Sequence, residues 1–217
     1  MHRRFVAVVT AVVVTVGGCS AGRDDAGAAP GLPVSSVETT AAPIRSLAII
    51  GDSITNGSEV ELRERLSDLD VDILAIDAAD GRRMTSAASV ASGADVVAQL
   101  SAGQPPDLWV IALGTNDVGH YDGAENYAPA IEELLAAVPA DAPLVWVDVY
   151  LESIPTASAE FNATLRRALR DRGQAAVVAW ADLADEDGVL RDGIHPSGYG
   201  IEQWSELVTA AVSTWVS

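Results

Sequence analysis

The stretch Leu47-Ala48-Ile49-Ile50-Gly51-Asp52-Ser53 decides how this chain is read. It is a short apolar run ended by a glycine, with a carboxylate and a hydroxyl directly behind it. Such a run reads as a buried strand that delivers polar residues at its carboxyl end. The same pattern recurs along the chain. Further strands are expected at 71–76, at 108–113 (ending at Gly114), at 144–150 and at 175–180. Helical spacing lies between and after them. Val60, Leu62, Leu66 and Leu69 make a partial stripe over 59–69. An Ala-rich segment covers 87–100, and further helices are expected over 127–138, 161–172 and 199–216.

Short apolar strands alternating with amphipathic helices imply an α/β fold with a parallel sheet covered on both faces. Right-handed crossovers make it doubly wound. In such folds ligands bind beyond the carboxyl ends of the strands, at the switch point of the strand order. With a five-stranded, flavodoxin-like order 2-1-3-4-5, the first and third strands are neighbours. Gly51-Asp52-Ser53 and Gly114-Thr115-Asn116-Asp117 would then meet there. A third motif, Asp192-Gly193-Ile194-His195-Pro196, precedes the last helix.

Together the motifs supply a hydroxyl, an amide, an imidazole and a carboxylate. These are the parts that nucleophilic acyl transfer requires. A serine hydroxyl needs a base, and a base needs an orienter. Ser53 is the candidate nucleophile, although a serine behind a strand also suits a helix N-cap. His195 is the candidate base. Asp192, three residues upstream on a turn, can accept from one ring nitrogen while the other faces outward. Asn116 is the candidate oxyanion donor through its side-chain amide. Gly81, after the second strand, could bring a backbone N–H to the same oxygen. Asp52 and Asp117 read as acceptors that hold loops. His120, four residues after Asn116, either lines the substrate entrance or is a solvated loop residue. No further ligand cluster points to a metal, and no Gly-rich phosphate loop follows the first strand.

These blocks resemble the SGNH (GDSL-type) hydrolase family. Gly51-Asp52-Ser53-Ile54-Thr55, Gly81, Gly114-Thr115-Asn116-Asp117 and Asp192-Gly193-Ile194-His195-Pro196 carry the likeness, which spans residues 46–217. The resemblance implies a three-layer α/β/α sandwich and ester hydrolysis or acyl transfer without a cofactor. It implies a triad of Ser53, His195 and Asp192, and an oxyanion hole of the Ser53 and Gly81 backbone N–H groups with the Asn116 amide. The second block, Ile76-Asp77-Ala78-Ala79-Asp80-Gly81-Arg82, looks more like the SGNH domains fused to membrane O-acyltransferases of cell-envelope glycans.

The N-terminus reads as an address. Met-His-Arg-Arg is followed by an apolar run from Phe5 to Val16, then by Gly17, Gly18 and Cys19. That is a basic, apolar and small-residue order typical of a signal peptide, here residues 1–18. The apolar run is too short for a spanning helix, which needs about 20 residues. Val16-Gly17-Gly18-Cys19 resembles a bacterial lipobox, which implies lipidation of Cys19, the only cysteine in the chain. Residues 19–45, rich in Ala, Gly, Pro and Ser, read as a flexible linker from a lipid anchor.

Of the 217 residues, about 170 remain for one domain, enough for a single core. Formal net charge is -18, with 31 acidic and 13 basic residues. Such a surface repels phosphate backbones, so nucleic acid is excluded as a natural partner. The expected protein is an extracytoplasmic esterase of short-chain esters, anchored to the bacterial membrane through Cys19, or secreted if not lipidated. An O-acyltransferase on an envelope glycan and a non-catalytic binding lipoprotein are the alternatives. The short loops between motifs leave little room for a lid, which favours small acyl groups.

Overall fold

The computed structural model describes residues 43–86, 89–121 and 123–216. The expected signal peptide, Cys19 and most of the expected linker lie outside the described residues. So do residues 87 and 88, where the second helix was expected to start.

Five strands form one parallel sheet: β1 (Ser46–Gly51), β2 (Asp72–Ala78), β3 (Leu108–Ala112), β4 (Leu144–Val147) and β5 (Ala175–Val178). Their order is β2-β1-β3-β4-β5, as expected for the flavodoxin-like pattern. The helices are α1 (Ser53–Leu66), α2 (Gly93–Ala102), α3 (Thr115–Val118), α4 (Ala124–Ala137), α5 (Pro155–Arg172), α6 (Trp180–Ala184) and α7 (Gly198–Ser213).

Alternation along the strands builds two apolar layers. Ala48, Ile50, Trp109, Ile111 and Trp146 face Val97, Ile131 and Phe161 of α2, α4 and α5. Leu47, Ile49, Val110 and Val145 face Leu62, Leu66, Trp204 and Val208 of α1 and α7. Because both faces are covered, the central strands read as unbroken apolar runs. Burying one such aliphatic side chain contributes about 1.5–3 kcal/mol.

The helix boundaries depart from expectation in instructive ways. α1 starts at Ser53, not at residue 59, and its first turns bury Thr55 and Ser58 beside a single aliphatic residue, Ile54. Val60, taken as part of the apolar stripe, is 83% exposed. The polar face of α1 is held instead by Glu59–Arg63 and Glu61–Arg65 pairs one turn apart. α2 starts at Gly93, where Ser92 caps it and Asp95 returns the bond in a capping box. α5 starts at Pro155, which suits a first helical turn. β5 ends before Trp180, which instead opens the short helix α6.

β1 and β3 end in register, with Gly51 beside Ala112. Asp52-Ser53 and Gly114-Thr115 therefore leave the sheet side by side at the switch point. Two glycines allow this crowding. A Cβ on Gly51 would collide with the Thr55 side chain of α1. Gly114 has φ +130, and a Cβ there would lie 2.5 Å from Phe161 Cζ.

Candidate active site

Ser53 is the first residue of α1. The N-cap role that suits a serine falls to its neighbour: Asp52 Oδ1 accepts from the Ile54 N–H at 2.9 Å. This leaves the Ser53 hydroxyl free to face the last loop, where it lies 3.0 Å from His195 Nε2. The Ser53 N–H belongs to the first-turn donors that a helix cannot pair internally, and the helix dipole favours negative charge at this end.

His195 is delivered by a tight loop. The Arg191 N–H donates to the His195 carbonyl at 2.9 Å, and Leu190 bridges Pro196. Gly193 turns the chain at φ +80, and its carbonyl accepts from the Glu152 N–H at 2.9 Å. Asp192 folds back over this turn. Its Oδ1 accepts from the backbone N–H of His195 at 2.7 Å and of Ile194 at 3.2 Å. Its Oδ2 lies 2.9 Å from His195 Nδ1. The His195 backbone bond, followed by the His195 ring, holds the Asp192 carboxyl down at about 2. An ionised Asp192 accepts the Nδ1 proton, so Nε2 presents its lone pair to Ser53. The next residue but one, Ser197, caps α7 by accepting from the Gly200 N–H.

Asn116 lies in the one-turn helix α3. Its Nδ2 donates to the Arg82 carbonyl at 3.1 Å and, more weakly, to Asp52 Oδ2 at 3.4 Å. The amide is thereby tied both to the residue before Ser53 and to the residue after Gly81. Gly81 itself stands exposed at φ +74, a conformation that favours glycine. The structure thus gathers Ser53, His195 and Asp192 into one hydrogen-bonded chain. It ties Asn116 and the Gly81-Arg82 turn to the same strand ends.

Asp52 and Asp117 hold loops, as expected of them. Both are buried, and burial is the main cause that pushes Asp52 up to about 6 and Asp117 up to about 7. The Asp117 oxygens both lie 3.2 Å from the Met84 N–H, which pins the segment after β2 to α3. His120 is exposed, with its ring edge-on to Tyr121 at 4.8 Å. Among the described residues, no group of three His, Cys, Asp or Glu side chains converges as a metal site would require. Sequence reasoning missed Arg82, whose guanidinium is buried beneath the turn. A charged residue in a loop ordinarily signals a solvated face, so only its neighbourhood could have flagged it.

The strand order and this site define an SGNH-type α/β hydrolase fold. Residues 49–202 match the GDSL-like Lipase/Acylhydrolase family, and the chain belongs to that family. No curated protein matches the sequence. Among solved structures, the chain is similar to the C-terminal catalytic domain of Streptococcus pneumoniae peptidoglycan O-acetyltransferase A, with a TM-score of 0.61 and 18% identity, covering 80% of this chain and 93% of that one. It is similar to a lipolytic G-D-S-L protein from Veillonella parvula, with a TM-score of 0.63 and 13% identity over 78% and 98%. It is also similar to an inhibitor-bound M. smegmatis aryl esterase, with a TM-score of 0.62 and 16% identity over 79% and 100%.

Proposed function

We propose that this protein is a serine esterase that hydrolyses short-chain carboxylic esters through Ser53, His195 and Asp192. The unbroken path from Ser53 Oγ through the His195 ring to Asp192 carries the reading. In the first half-reaction Ser53 Oγ attacks the carbonyl carbon while His195 Nε2 takes the hydroxyl proton. The carbonyl oxygen becomes an oxyanion facing the Ser53 and Gly81 N–H groups and the Asn116 amide. When the intermediate collapses, His195 returns the proton to the departing alcohol, leaving an acyl-Ser53. Water, deprotonated by His195, then releases the acid and restores the serine.

β1 passes to α1 through Asp52 alone, with no insertion to act as a lid. So short a connection at the nucleophile suits a small acyl group on a larger alcohol. The Cys19 lipobox and the linker support an envelope-anchored, extracytoplasmic protein, or a secreted one if Cys19 is not modified. The same residues could pass the acyl group to a glycan hydroxyl in place of water. The Gly81-Arg82 turn and the likeness to a peptidoglycan O-acetyltransferase domain favour this second reading.

The test is turnover of p-nitrophenyl acetate by the wild type and by Ser53→Ala and His195→Ala. Both substitutions should abolish it, and wild-type turnover in both would show the mechanism to be wrong. An added glycan acceptor separates the readings: acylated acceptor outpacing free acetate indicates transfer.

A further inference from the structure

We propose that Arg82 is the positioning residue of the oxyanion site. Its guanidinium ties the end of β1, which leads to Ser53, to the end of β2, which leads to Gly81, and its backbone carbonyl holds the Asn116 amide. The inference rests on the reading that Ser53, Gly81 and Asn116 supply the oxyanion donors.

Among the described residues Arg82 is the one arginine that is buried, at 4% exposure. Its donors are spent on four acceptors. Nε donates to the Ala91 carbonyl at 3.1 Å. Nη1 donates to the carbonyls of Gly51 at 3.2 Å and Asp77 at 2.5 Å. Nη2 donates to Asp77 Oδ1 at 2.6 Å. The backbone of Arg82 is engaged as well: its N–H donates to the Ala79 carbonyl at 3.1 Å, and its carbonyl accepts from Asn116 at 3.1 Å.

The choice of acceptors matters. Gly51 ends β1, two residues before Ser53. Asp77 lies at the end of β2, on the path to Gly81. Ala91 closes the far side of the segment that leads to α2. Asn116 hangs from the Arg82 carbonyl. One residue therefore sets where the Gly81 turn and the Asn116 amide stand relative to the start of α1. The Ser53–His195–Asp192 chain makes no hydrogen bond to it and would survive its loss.

A general structural clamp does not require this arrangement. A buried cation is costly unless its donors are satisfied, and mere packing is better served by an apolar residue. Asp77 is 45% exposed, so the ion pair alone gains little. What the guanidinium offers is a rigid planar fork that reaches several carbonyls in fixed directions. A lysine ammonium is a point charge on a flexible stem and cannot hold them together.

Oxyanion donors act on charge that develops in the transition state, so their misplacement should lower kcat and spare KM. A misplacement of about 1 Å can cost about 10² in rate. The experiment is steady-state hydrolysis of p-nitrophenyl acetate by the wild type, Arg82→Met, Arg82→Lys and Ser53→Ala, with circular dichroism on each. Arg82→Met should lose about tenfold to a hundredfold in kcat with KM within about twofold. Arg82→Lys should recover part of that loss. If Arg82→Met does not fold, Asp77→Ala carries the test, because it removes only the half-exposed acceptor of Nη2. It should lower kcat severalfold at unchanged KM. Wild-type kcat in the folded Arg82 variant or in Asp77→Ala, with Ser53→Ala inactive, overturns this inference alone. A loss expressed only in KM overturns it too. Wild-type turnover in Ser53→Ala overturns the underlying reading and this inference with it.

Discussion

Replacing Asp192 by asparagine should damage the site more than replacing it by alanine. Two backbone donors hold Asp192 Oδ1, the His195 N–H at 2.7 Å and the Ile194 N–H at 3.2 Å. An asparagine must keep its carbonyl oxygen there. Its NH2 then takes the place of Oδ2, which faces His195 Nδ1 at 2.9 Å. Two donors cannot face each other, so the imidazole shifts its proton to Nε2 and loses the lone pair aimed at Ser53. A wrong tautomer of this kind costs up to about 10⁴ in kcat in the trypsin triad. Alanine removes the acceptor but imposes no tautomer. It forfeits the attraction between Asp192 and the imidazolium, which is modest because Asp192 is 48% exposed. At an effective dielectric of about 60, unit charges about 3 Å apart interact by about 2 kcal/mol, or roughly thirtyfold in rate. The assay is kcat and KM for p-nitrophenyl acetate in both variants, with circular dichroism to check folding. Asp192→Asn at or above the activity of Asp192→Ala would refute the reasoning.

Three other outcomes are expected. Asn116→Ala should lower kcat by about 10²–10³ with little change in KM, measured on the same ester. Thermal stability should fall as pH rises from about 4 to 7. Asp117 is raised to about 7 and Asp52 to about 6, so the native state binds their protons more tightly than the unfolded chain, which releases them near 3.8. Asp192 acts oppositely, its contribution fading only below about 4. For Asp117 the interval corresponds to no more than about 4 kcal/mol, and Asp117→Asn should flatten the melting temperature between pH 4 and 7. Finally, Cys19→Ser should move the protein from the membrane fraction to the soluble fraction. Retention in membranes would refute lipid anchoring.

Much of the fold was legible because the central strands are covered on both faces. Leu47–Ile50 and Leu108–Leu113 cannot sit at a surface, and the glycines behind them mark where the chain leaves the sheet. The residues of the hydroxyl–imidazole–carboxylate chain were legible for a different reason. Each follows a strand or precedes a helix, where polar side chains in a fixed order have few structural excuses. What stayed hidden was local and polar. The first turns of α1 bury Thr55 and Ser58 beside Ile54, and one aliphatic residue makes no apolar stripe to detect. The cap on α1 is Asp52 rather than Ser53, a one-residue distinction that depends on backbone direction. Arg82 is buried against main-chain carbonyls, and carbonyl positions have no sequence signal.

The most direct test of the account is covalent labelling by a fluorophosphonate, read by intact mass and peptide mapping. The serine activated by His195 should react stoichiometrically, with the adduct on Ser53 and none elsewhere. Labelling should vanish in Ser53→Ala and slow markedly in His195→Ala. An unlabelled wild type, or an adduct on another residue, would contradict the claim that Ser53 is the nucleophile.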